Sequence, residues 1–220
     1  MLKKFLTTFI MSGAAAMLFP ACNGIFSDIY DEASSETISE YGFLTFATES
    51  EPGSIYIDAT DYTKWVYIDF TSKSIDVRDV NDEAPAQWDL AVHRYDTKTN
   101  NGAVMETGAT GFYSLANVVK PDTGNGEYVK DIHTTDVIVT DMSTMMDGYL
   151  SYAESDYNTE LSKWLNVDKS SMPPVYTPSN KVYILRLNDG STAAIRLDNY
   201  MDAIGVKGYM TIQYMYPLNL

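Results

Sequence analysis

The chain has 220 residues, is 45% hydrophobic and is strongly acidic, with 30 Asp and Glu against 15 Lys and Arg and a formal charge of −15. That length can bury one sizeable core, and the charge repels nucleic acid and anionic lipid headgroups, which argues against a nucleic-acid partner. A single cysteine leaves no intramolecular disulfide, so burial has to hold the domain together.

In chain order, Met1-Leu2-Lys3-Lys4 gives a short positive start. Phe5 to Phe19 is apolar or small throughout, and Pro20-Ala21 precedes Cys22. This is the three-part layout of a secretory signal over residues 1–21, with an apolar run shorter than the ~20 residues of a bilayer span. A cysteine directly after a small residue at the cut reads as a lipidation site, although Phe19 and Pro20 are bulkier than that pattern usually carries. The competing reading is a secreted chain with a leftover thiol, which is a liability in an oxidising compartment. Acyl chains on Cys22 are then the expected membrane attachment, with the rest of the chain in water. Loss of Lys3 and Lys4 with the signal takes the formal charge from −15 to −17. Residues 22–52, rich in Asp, Glu, Ser and Thr, read as an acidic flexible tether, and residues 53–220 as one domain.

Within the domain the pattern turns to short apolar runs. Ile55-Tyr56-Ile57, Trp65 to Phe70 and Trp88 to Tyr95 read as strands, the last alternating large apolar and polar side chains at the period of a strand with one buried face. Asp79 to Pro85, Asn100-Asn101-Gly102 and Pro121 to Gly126 carry turn chemistry. The C-terminal third is clearest: Lys181 to Leu187 and Thr192 to Leu197 flank an Asn188-Asp189-Gly190 turn, and Tyr209 to Tyr216 is a further β-prone run. Only Tyr113 to Val118 and Asn158 to Leu165 look helical. The expected fold is all-β, a single domain of antiparallel sheets with one or two short helices.

A nucleophile elbow, a phosphate-cradling glycine loop and a His-Glu zinc helix are all missing, so the chain does not read as an enzyme. Of the two histidines, His93 lies in an alternating strand and reads as a hydrogen-bonded structural residue. His133 reads as an exposed loop residue, with metal ligation as the other reading. Methionine is more informative. Of 11, three fall in Asp141-Met142-Ser143-Thr144-Met145-Met146-Asp147-Gly148 and another in Ser170-Ser171-Met172-Pro173-Pro174, all in polar, turn-forming contexts. A thioether there gains little by burial unless something soft or apolar sits against it, and its sulfur suits copper(I) or haem iron. The bland alternative is a pair of partly buried loop anchors.

Trp88-Asp89-Leu90-Ala91-Val92-His93-Arg94-Tyr95-Asp96 followed by Asn100-Asn101-Gly102-Ala103-Val104 resembles the signature of the HmuY-like haem-binding lipoproteins. The likeness continues through Pro174-Val175-Tyr176, Ser179 to Tyr183, Asp189-Gly190 and Asn199 to Ala203, and closes with Lys207-Gly208 and Thr211 to Pro217. It spans nearly the whole mature domain and is loosest from Asp131 to Lys169. The resemblance implies a haem pocket between two facing loops at one end of the domain, gripping iron with one side chain from each. The best-known members use histidine there, but neither loop of this chain has one. Other members offer methionine at both, so the carry-over lands on Met172 and on Met145 or Met146, with Met145 favoured because Met146 adjoins the Asp147-Gly148 turn.

The implied cofactor is haem b, held non-covalently. Tyr149, Tyr152, Trp164, Val175 and Tyr176 are near enough in sequence to line its slot, and Lys163 and Lys169 flank it. The resemblance further implies a haemophore anchored by lipid at the outer membrane, at the cell surface or released, that passes haem to a TonB-dependent-type outer-membrane receptor. The competing class is a β-rich surface lipoprotein that binds glycan or protein without a cofactor, suggested by 17 tyrosines and three tryptophans.

Overall fold

The computed structural model describes residues 40–115, 127–171 and 173–218. The expected signal, Cys22, most of the expected tether, the Pro121 to Gly126 turn and Met172 lie outside the described residues. The described chain is all-β, as expected, in four antiparallel sheets.

A seven-stranded sheet contains β1 (Gly42–Thr45), β2 (Gly53–Asp58), β7 (Ala103–Glu106), β8 (Val129–Lys130), β13 (Tyr183–Arg186), β14 (Thr192–Met201) and β15 (Lys207–Met215), in the order β1-β2-β15-β14-β13-β7-β8. A four-stranded sheet contains β3 (Lys64–Asp69), β4 (Ser74–Asp79), β5 (Leu90–His93) and β6 (Asp96–Thr99), in the order β4-β3-β5-β6. The core lies between these two sheets. In β15, Met210, Ile212 and Tyr214 are buried in alternation with partly exposed neighbours, the period-two pattern of a strand with one dry face. They meet Ile55 and Ile57 of β2 and Ile195 of β14, and Val66, Ile68, Leu90 and Val92 cover them from the smaller sheet.

Two hairpins stand apart from both sheets. Among the described residues β9 (Ile132–Asp141) pairs only with β10 (Ser151–Tyr157), and β11 (Leu165–Asp168) only with β12 (Val175–Pro178). The first lays Ile138 and Ala153 on the outer face of the four-stranded sheet, against Trp65, Tyr67 and Ala91. The second packs Val167 and Tyr176 against the edge of the main core.

Several expectations shift. Gly42–Thr45, inside the stretch expected to be tether, is a strand paired with β2, because Phe43 finds an edge-on contact with Tyr214 (ring centroids 5.2 Å). Trp88 to Tyr95 is not one strand. The chain reverses at Arg94-Tyr95, with Arg94 at φ 53°, so that His93 pairs with Asp96. The expected Asn158 to Leu165 helix reduces to a 3-10 turn at Leu161–Trp164. Of the expected Tyr113 to Val118 helix a 3-10 turn is seen at Phe112–Ser114, with residues 116–118 outside the described residues, and a further 3-10 turn closes at Met145–Asp147. His133 is in β9 rather than in a loop, 3.2 Å from Glu154 Oε1 across the hairpin.

Candidate functional site: a cavity between two hairpins

A cavity of about 700 Å³ opens between the two free-standing hairpins, within the range of small-molecule and cofactor sites. Its floor is the β5–β6 turn, His93 to Asp96, with Tyr62 beside it. One wall is the β9–β10 hairpin, including Val137, Val139, Leu150 and Tyr152 together with Met142 and Met145 from the tip. The facing wall is the β11–β12 hairpin, with Val167, Lys169, Pro174 and Tyr176. Most of this lining is apolar or aromatic, as a flat hydrophobic ligand requires.

Local sequence sets both tips. Ser143 N donates to Asp141 Oδ1 at 2.7 Å, Met145 N donates to Met142 O at 3.0 Å, and Gly148 closes the turn at φ 85°. On the other side Ser170 N donates to Asp168 Oδ1 at 2.8 Å before the double proline. Short polar side chains thus fold the backbone back on itself, and at the β9–β10 tip leave Met142 and Met145 in the lining and Met146 outside it.

The floor is fixed from below. Arg94 Nη1 donates to Thr60 O at 2.8 Å and the guanidinium sits 4.5 Å from the centre of the Tyr62 ring. His93 is fully buried with Nε2 2.8 Å from Tyr62 O, and burial holds its imidazole below the usual range, which keeps it a neutral structural group. Burial pushes the Asp96 carboxyl up to about 7 against the opposing pull of Lys169, and lifts the Tyr95 phenol well above its ordinary value.

These two shifts act on stability with opposite sign. Asp96 holds its proton more firmly folded than unfolded, so its contribution is present at low pH and is lost as pH rises through about 7. His93 holds its proton less firmly folded, so its contribution is lost as pH falls below the ordinary imidazole range of ~6.5. Asp96→Asn should therefore gain stability relative to the parent as pH rises from 5 to 8. Parallel melting curves across that range check it, and a constant difference between the two chains would contradict it.

The residues singled out in the sequence separate cleanly. Met145, 39% exposed, lines the cavity, whereas Met146, 89% exposed, does not. Tyr152 and Tyr176 line it. Tyr149 and Val175, 71% and 51% exposed, point away at the hairpin ends and are not part of the lining. Trp164 belongs to the main core, fully buried, because its indole N–H reaches Tyr95 O at 2.8 Å from beneath the floor. Lys169 lines the cavity, while Lys163 is turned to Glu160 at 2.6 Å. Met172 lies outside the described residues, but Lys169 and Pro174 on either side of it in sequence both line the cavity. Sequence reasoning missed Tyr62, Tyr95 and the Val137-Val139 wall; the β-branched run Val137-Ile138-Val139 was the available signal for the last.

The family model for the HmuY protein matches residues 61–214, which contain every cavity-lining residue. The chain belongs to the HmuY family. Among solved structures, a candidate HmuY-like haem-binding protein of Bacteroides vulgatus is 56% identical, with a TM-score of 0.76 over 82% of this chain and 100% of that one. A candidate lipoprotein of Bacteroides fragilis is 50% identical, with a TM-score of 0.77 over 84% of this chain and 100% of its own. An apo HmuY analogue from Tannerella forsythia shares 22% identity over 77% of this chain and 97% of its own, with a TM-score of 0.64, a likeness of fold alone. A search of curated proteins gave no match. The aromatic residues that suggested a glycan platform are largely engaged with one another in this HmuY-family fold. Tyr41, Tyr56 and Tyr209 stack at centroid distances of 5.5 to 6.4 Å, and Tyr183 and Tyr214 are in the core.

Proposed function

We propose that the cavity holds haem b non-covalently, with Met145 of the β9–β10 tip and Met172 of the β11–β12 tip as axial ligands on opposite faces of the porphyrin. The observation that carries this reading is an apolar cavity between two hairpins, each with a methionine in its tip sequence. Val139, Leu150, Tyr152 and Tyr176 offer the macrocycle apolar and aromatic surface, and Arg94 and Lys169 in the same lining can balance the propionates that the acidic chain otherwise repels. The Bacteroides vulgatus relative, described as a candidate haem-binding protein, supports the ligand class.

The protein acts by capture and release. Lipid on Cys22 tethers it at the outer membrane, and haem passes from it to a TonB-dependent-type receptor, with the chain's negative surface complementing a basic patch on that partner.

Thioether ligands carry no charge and favour ferrous over ferric iron. Purified protein mixed with haem under reducing conditions should give a sharp low-spin Soret band, and reduced haem should be held more tightly than oxidised haem. Clearly tighter ferric binding in paired titrations would exclude this ligand set.

A further inference from the structure

The haem reading uses one sulfur from the β9–β10 tip, yet two line the cavity. Met142 and Met145 sit at the ends of one turn, closed by the Met145 N–H on the Met142 carbonyl at 3.0 Å. Asp141 pins the intervening Ser143 through its backbone N–H at 2.7 Å and its hydroxyl at 3.0 Å. The Gly148 N–H on Met145 O at 3.0 Å pins the far side. Both residues therefore stand on a constrained backbone and line the same cavity. Met146, next in sequence, is 89% exposed and faces away. A gap-filling methionine would be buried, but Met145 is 39% exposed and Met142 only partly buried.

We infer that Met142 and Met145 form a chelating pair for a soft monovalent cation, copper(I), at the cavity wall. Neutral sulfur competes poorly with water for hard ions and well for soft ones. Val139 and Leu150 in the same lining add apolar surface that reduces that competition further. The overall charge of −15 draws cations toward the chain, while within the lining Asp96 and Asp136 are balanced by Arg94 and Lys169. Since Met145 is also the sulfur assigned to haem, the two ligands exclude one another at that atom.

The test is a copper(I) titration of the full chain, Cys22 blocked with N-ethylmaleimide, against bicinchoninate as competing chelator. One equivalent should be withdrawn from the chelator. Met142→Ala and Met145→Ala should each weaken uptake by about tenfold or more, and Met146→Ala should leave it within about twofold. Failure of the parent chain to compete, or unchanged uptake by Met142→Ala, would overturn the assignment. Prior loading with haem should remove that equivalent, and undiminished uptake would refute the shared sulfur. Met142→Ala should keep the parent's haem spectrum. A chain that binds copper(I) through this pair but gives no low-spin haem spectrum would reject the haem reading and leave the copper(I) pair standing.

Discussion

Replacing Met145 by alanine is expected to abolish the six-coordinate low-spin spectrum of the reduced haem complex, leaving a five-coordinate species or one completed by water. Binding should weaken by at least the roughly 100-fold that disturbance of a metal site's supporting shell can cost. Met172→Ala should do the same from the opposite face, because a porphyrin iron held by two neutral sulfurs has no stronger bond to fall back on. Met146→Ala is the internal control: its side chain is 89% exposed and outside the cavity, so spectrum and affinity should match the parent. Absorbance spectra of the reduced complexes, with haem titrations of all three variants, decide the matter. If Met145→Ala retained the parent's spectrum while Met146→Ala lost it, the neighbouring sulfur would be the ligand. If neither changed, this hairpin would not ligate haem at all.

The largest expected effect on stability falls on a residue away from the cavity surface. Asn158 is fully buried at the end of β10 and works as a junction. Its Nδ2 donates to Asp131 Oδ1 at 2.7 Å and to Val129 O at 3.1 Å, and its Oδ1 accepts from Leu161 N at 2.8 Å. Its backbone N–H donates to Thr97 O at 2.7 Å. Asp131 in turn accepts from Thr99 N at 2.6 Å. Asn158→Ala would leave the buried Leu161 N–H without its acceptor and remove the amide donor from Val129 O and from Asp131 Oδ1, which keeps only the Thr99 hydroxyl at 3.1 Å. That should cost about 2–4 kcal/mol, a drop in Tm of about 5–15 °C for a domain of this size. Asn158→Asp should be at least as damaging at neutral pH, where it sets a second carboxylate against Asp131, and should partly recover as pH falls and one of the pair takes a proton. Thermal melts at pH 7 and pH 5 would show this. Equal melting of Asn158→Asp at both pH values would mean that the Asp131 contact is not what Asn158 provides.

The parts of the fold legible in the sequence are those where one face is dry and the other wet. β15 shows this directly: Met210, Ile212 and Tyr214 alternate with Thr211 and Gln213, and the Asn188-Asp189-Gly190 turn marks where β13 hands over to β14. β9 hides because its second face is also apolar. Val137 and Val139 line the cavity while Ile138 is buried on the sheet, so the polar half of the alternation is missing. The reversal at Arg94 is invisible for another reason. A non-glycine at φ 53° is held by a hydrogen bond to Thr60 and by the Tyr62 ring, partners some thirty positions away. The site shows the same division. The tip methionines stand out because thioethers are out of place in polar turns. Trp164, close in sequence to the second tip, is drawn into the core by the Tyr95 carbonyl, which no local pattern announces.

Because among the described residues neither hairpin shares a ladder with the two large sheets, either can be lengthened, shortened or re-equipped without unpicking the chassis that carries it. On the proposed haem reading, exchange of a thioether for an imidazole at a tip would retune the iron's redox preference while the paired sheets beneath stay unchanged.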